Sequence, residues 1–246
     1  MRFPDSKTLL LPILLLAIAA ASPAVGQRRG DPTIDPILVA AGFLDSHPDL
    51  RFRSRGLEEY GRRNHAAAVE EFKRAAWYSD KPSQAIVGEM LWIGLGLPRD
   101  RALAYVWMDL AAERGYRSFA RKREAYWQQL DEEERARVLR DAPAIRAEYA
   151  DVAAEPRLHA VLLRELRRAT GSRLGSTVSP MRIEIPGVGV IDSAAYYHPR
   201  YWEPEQYREW QDSIWMELRV GTVDVGDVEQ VLDPPAEPER ANPDTP

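Results

Sequence analysis

The sequence predicts a mostly α-helical protein: a short α/α solenoid of antiparallel helix pairs, followed by a small C-terminal α/β or β-hairpin appendage. Three observations predict it. From Ile34 to Thr170 the apolar residues fall at three- and four-residue spacing with few β-branched clusters. Within that stretch a pattern of alanines recurs 36 residues further on, a spacing typical of helical repeats. After Gly171 the chain changes to short units of Ser, Thr, Val, Gly and Pro, which places a boundary near Thr170–Gly175.

The chain starts outside that fold. Arg2 and Lys7 precede the apolar run Leu9–Ala20, and Ala24-Val25-Gly26 supplies the small residues that signal peptidase needs. Residues 1–26 therefore read as an export signal, cleaved before Gln27. A membrane-spanning helix needs about 20 apolar residues, and this run is shorter and carries Pro12, so no membrane anchor is expected after cleavage. A periplasmic or secreted protein is the expectation. Residues 27–33, a charged leader, and 233–246, rich in Pro, Glu and Asp, read as disordered ends.

Composition narrows what the rest can be. There is no cysteine, so an exported domain has no disulfide and must be held by its packed core. Removing Arg2, Lys7 and Asp5 with the signal moves the net charge from −5 to −6, a balance that argues against nucleic-acid binding. Seven Trp and ten Tyr provide anchors for a sizeable core.

Helix punctuation runs in order along residues 34–170. Pro82-Ser83 precedes the run Ala85–Leu95, and Pro98-Arg99-Asp100 precedes Arg101–Glu113, which Gly115 ends as a C′ glycine. Asp131 with Glu134 three residues later reads as a capping box. A further helix is expected through Leu158–Ala169, with Arg164, Arg167 and Arg168 near its C-terminus. In the appendage, Met181–Ile185 and Val220–Val225 alternate as strands do, while Tyr207–Leu218 reads as a helix, with a strand from Ile214 as the alternative.

The repeat carries the architecture. Ala68, Ala75 and Ala76 recur as Ala104, Ala111 and Ala112, and each set is preceded by an aromatic and a glycine, Tyr60-Gly61 and Trp92-Ile93-Gly94. Small residues let two helices approach to about 8–10 Å, and glycine permits the left-handed turn between them. In residues 88–115, Gly88-Glu89-Met90-Leu91-Trp92, the turn Gly94 to Asp100 and the helix Ala104 to Gly115 resemble a Sel1-like repeat, a relative of the tetratricopeptide repeat. The unit before it has a shorter turn, Gly61-Arg62-Arg63-Asn64, and a third unit after Ala120 lacks both glycine turn and Ala-Ala pair. The resemblance covers residues 50–130, with the best repeats over 56–120, and implies a scaffolding role.

No motif in the chain specifies a catalytic centre. His47, His65, His159 and His198 are scattered, and none has the His-Glu-x-x-His spacing that sets two metal ligands on one helix face. Neither catalytic residues, a metal nor a cofactor is therefore expected. Trp92 and Trp107 read as core residues. For function, the resemblance implies a protein-protein interaction module or adaptor of the bacterial envelope. Its partner, a protein of the envelope, is expected on first-helix residues Glu58, Glu59, Arg62 and Glu89. The alternative is an envelope enzyme or ligand-binding protein. Its pocket would lie between the array and the aromatic appendage, with Tyr197, His198, Trp202 and Glu203 lining it.

Overall fold

A computed structural model describes residues 35–170, 182–185, 187 and 189–216. The expected export signal, the expected strand Val220–Val225 and the tail from 233 lie outside the described residues. Two short turns of helix, α1 (Pro36–Ala40) and α2 (Phe43–Ser46), lead into α3 (Pro48–Gly61) and α4 (His65–Ala76). Next come α5 (Lys81–Ile93), α6 (Arg101–Ala111), α7 (Arg117–Gln129), α8 (Glu132–Tyr149) and α9 (Asp151–Thr170). A hairpin of β1 (Arg182–Ile185) and β2 (Gly189–Asp192) precedes α10 (Ser193–Tyr196), α11 (Pro199–Trp202) and α12 (Pro204–Met216). The protein is mostly helical, with one small antiparallel sheet among the described residues.

Capping aspartates set where the helices begin. Asp100 accepts from Leu103 N at 3.0 Å and starts α6 where the sequence places it. Asp131 and Glu134 form the expected reciprocal capping box. The second pair starts earlier than Pro82-Ser83 suggests. Asp80 is the cap, accepting from Ser83 N at 3.0 Å, and Pro82 sits inside the first turn, where a missing N–H costs nothing. Gly94 (φ 76°) ends α5, and Gly115 (φ 76°) closes the turn after α6.

The repeated alanines form the floor of the core. Ala68, Ala75, Ala76, Ala104 and Ala111 are all fully buried, and they surround Phe72, Met90, Trp107 and Met108. Helix α3 packs along α4, α5 along α6, and α4 joins the two pairs. The second pair is close. A Cβ on Gly88 would lie 3.0 Å from the Ala104 carbonyl oxygen. Trp107 is buried and Trp92 stacks on Tyr126 of α7 at 3.9 Å, so both belong to packing. Helices α7 and α8 then cover α6, with Leu130 and Val138 against Ala102 and Val106.

The C-terminal segment docks back on the N-terminal one. Tyr196, Tyr201 and Trp202 join Leu38, Phe43 and Leu50 in a second apolar cluster, and α12 lies on α9. Strand β1 pairs with β2 from Arg182 opposite Asp192 to Ile185 opposite Gly189. Ile214 is helical, within α12, because Tyr207 and Gln211 are buried one turn apart on the face that meets the body.

Two left-handed glycines differ in their surroundings, which yields a test. At Gly115 an added Cβ meets nothing within 4 Å, whereas at Gly96 (φ 80°) it falls 2.5 Å from the backbone of His65. Gly115→Ala is expected to cost about 1–2 kcal/mol for backbone conformation alone. Gly96→Ala adds overpacking and is expected to cost about 3 kcal/mol or more. Urea denaturation of the two variants checks the difference; equal losses would mean that the turn does not press on α4.

Candidate functional site

Helix α5 has two apolar faces. Val87, Gly88 and Leu91 turn into the core, while Ile86, Met90 and Ile93, at i, i+4 and i+7, share another face. Opposite them on α3 stand Leu57 and Tyr60. Together with Phe72 and Glu89 these residues line a groove of about 170 Å3. Met90 and Phe72 make its floor, and Leu57, Tyr60 and Ile93 remain 42%, 42% and 63% exposed. Three apolar side chains are thus left exposed side by side.

The charged residues near the groove are paired with one another. Arg62 donates to Glu58 (2.6 Å) and Glu59 (3.0 Å), and Asn64 donates to Glu59 (2.8 Å). Across the groove Glu89 pairs with Lys122 of α7. Burial, with Glu89 adding to it, pushes the Tyr126 hydroxyl well above its ordinary pKa. Of the expected partner-binding residues Glu89 lines the groove; Glu58 and Glu59 at the end of α3 and Arg62, its C-cap, lie near Leu57 and Tyr60 in the chain but do not line it.

The apolar members, Leu57, Tyr60, Ile86, Met90 and Ile93, are what sequence reasoning missed. Their signal was present as helical spacing on α5. Two apolar faces on one helix look alike in sequence until one of them is covered.

Beneath α12 lies a second assembly, of buried charges. Arg53 of α3 donates to Asp80 at 2.5 Å, with both side chains almost wholly buried. Lys81 donates to Glu113 (2.8 Å) and to the Leu110 carbonyl (3.1 Å), and pairs with Asp151 (2.8 Å). Arg114 donates to Asp151 (2.8 Å) and Glu155 (3.0 Å). Burial alone would raise the Asp151 carboxyl, but Arg114 and Lys81 outweigh it and hold the pKa down to about 2. Helix α12 adds Tyr207, which donates to Asp49, and Asp212, which accepts from Tyr116, both at 2.5 Å. Burial raises the Asp49 carboxyl against the pull of Tyr207 and Arg53.

The space left between α12 and the body is about 20 Å3, room for one water-sized molecule. It is lined by Asp49, Tyr116, His159 and Gln211 among others. Tyr197, His198, Trp202 and Glu203 do not line it. Trp202 is buried in the aromatic cluster and donates its Nε1 hydrogen to Tyr196 O at 2.7 Å. His198 is exposed and caps α11, accepting from Arg200 N at 3.2 Å. Glu203 accepts from Gln206, and Tyr197 stands edge-on to Tyr196. These four residues serve helix ends and packing. Among the described residues no three His, Asp or Glu side chains converge as metal ligands.

No family model, curated protein or solved structure matches the chain.

His47 sets a pH limit on the docked C-terminal segment. Its ring stacks on Phe43 at 3.7 Å, and its Nδ1 and Nε2 face the carbonyl oxygens of Phe43 (2.8 Å) and Tyr201 (2.7 Å). Only an imidazolium donates to both, but complete burial disfavours the charge and wins, bringing the pKa down to about 4. A histidine with a lowered native pKa stabilises fully above its unfolded value near 6.5, and that contribution is lost as pH falls toward 4. The expected loss at pH 4 is about 3 kcal/mol from this residue. An NMR titration of the His47 ring protons checks it: the midpoint should lie near 4, and a midpoint at 6 or above would refute the assignment of a neutral ring.

Proposed function

We propose that this protein is an exported protein-protein interaction module or adaptor of the bacterial envelope, built as a short α/α solenoid of Sel1-like helix pairs. The single observation that carries the reading is the apolar groove between α3 and α5, open at Leu57, Tyr60 and Ile93, with Glu89 in its wall and Glu58, Glu59 and Arg62 close by in the chain. The partner is a protein of the envelope that inserts an apolar side chain between the two first helices while its polar groups meet the nearby charges. Shape and buried apolar area supply the affinity at such a site, and the rim charges supply specificity.

Three further observations support it. The small-residue interfaces repeat from α4 to α6, as stacked helix pairs require. The apolar run and small-residue site of residues 1–26 support export. Against an enzyme with a pocket under the appendage stands the size of that space, about 20 Å3.

Photo-crosslinking in the intact envelope tests the reading. p-Benzoylphenylalanine at position 57 or 93 is expected to trap the same protein, and at Val152, which is 84% exposed on α9, to trap nothing comparable. Adding Tyr60→Asp to the position-93 variant should abolish the adduct. Equal labelling from Val152, or an adduct indifferent to Tyr60→Asp, would overturn the proposal.

A further inference from the structure

A second concavity, distinct from the groove, encloses about 320 Å3, within the size range of small-molecule sites. Its wall is aromatic: Phe52 of α3, Trp77 and Tyr78 after α4, and Tyr149 at the end of α8. Its rim carries Glu70, Lys73 and Arg74 of α4. We propose that this concavity binds a small anion with a flat apolar body, an aromatic sulfonate, phosphate or carboxylate.

The apolar half of the recognition is prearranged. Trp77 is 36% exposed, so one of the largest side chains of the protein is presented to solvent at a place where Tyr149 stands edge-on to it at 6.1 Å. Arg157 lies over its ring at 3.5 Å and donates to the carbonyls of Trp77 (3.2 Å) and Glu148 (2.7 Å), which fixes ring and guanidinium together. Phe52 stacks parallel to Tyr78 on the other side. Rings held in this way lose little freedom on binding.

Cations concentrate at the same place. Arg51, Arg55 and Arg74 stand 5.0, 5.8 and 6.0 Å from the centre of the Phe52 ring. Of the cations nearby, Lys73 and Arg74 line the concavity, against Glu70 alone among its acids, on a chain whose overall net charge is −5. Both cations are engaged, Lys73 with the exposed Glu70 at 3.4 Å and the exposed Arg74 with the half-buried Glu71 at 2.8 Å. Exposed pairs and exposed cation–π contacts are each worth only about 0.5–1 kcal/mol. Lys73 can therefore turn to a ligand anion, and Arg74, keeping one donor on Glu71, has further donors free to meet it with charge-assisted hydrogen bonds. An uncharged ring would use the wall and leave the rim unused.

Fluorescence titration with 8-anilino-1-naphthalenesulfonate, set against the uncharged N-phenyl-1-naphthylamine, tests this directly. The sulfonate should saturate one site about tenfold more tightly than the neutral probe. Arg74→Glu should weaken the sulfonate about tenfold and leave the neutral probe unchanged. Trp77→Ala should weaken both probes, and Ile93→Asp, in the partner groove, should affect neither. Arg74 is largely exposed, so its variant decides the matter even if Trp77→Ala loses its helical circular dichroism. Equal affinity for the two probes, or sulfonate binding indifferent to Arg74→Glu, would sink the proposal, whatever the fate of the partner groove.

Discussion

The buried charges at the start of α5 are the constraint on which the rest of the structure depends. Asp80 caps α5 and holds Arg53 of α3; Lys81 reaches the end of α6, Glu113 and Asp151 of α9; Ser79 donates to Asp151 as well. Three consecutive residues thus tie together four helices. Burying an ion is costly, and the cost is offset only where a partner and the remaining hydrogen bonds are in place. Removing one partner of such a pair costs about 3–5 kcal/mol. A sliding of α9 over the first pairs would therefore strand charge, and the network sets register where greasy contacts alone would tolerate slippage.

The same network accounts for how closely the C-terminal segment packs on the body. Helix α12 brings Tyr207 to Asp49 and Asp212 to Tyr116, and the aromatic cluster of Phe43, Tyr196, Tyr201 and Trp202 closes over His47 beside it. What remains between body and α12 has room for one water-sized molecule. The aromatic residues that look like a binding platform in sequence are used to cover Leu38 and Leu50. In a chain without cysteine, this polar and aromatic closure does the work of joining the two ends.

With one side of α3 and α5 committed to that closure, the open surfaces lie elsewhere, and the two proposals rest on their difference. The groove at Leu57, Tyr60 and Ile93 is apolar with a balanced rim, suited to a protein side chain. The concavity at Trp77 is aromatic with an excess of cations, suited to a small anion. Both use the first pair, the groove together with α5 and the concavity together with the end of α8, but through different residues of α3, and they respond to different substitutions.

The sequence by itself determined the local structure of this protein. Capping by Asp100 and by Asp131 with Glu134, the glycine stop at Gly115, the buried alanines and the helical nature of residues 34–170 follow from short-range physics: hydrogen-bond caps, allowed backbone angles and side-chain size. Of the groove's lining, Glu89 was named from the sequence because it sits on a first helix. What only the tertiary structure decided is which apolar and aromatic faces end up covered. Ile86 and Ile93 share the helical spacing of the core residue Met90, and Trp202 and Tyr197 have the same chemistry as ligand platforms. Their fates differ because long-range docking covered Trp202 and left Ile93 bare. Coverage depends on residues more than a hundred positions apart meeting, as His47 meets Tyr201 and Asp49 meets Tyr207, and no local pattern encodes that encounter.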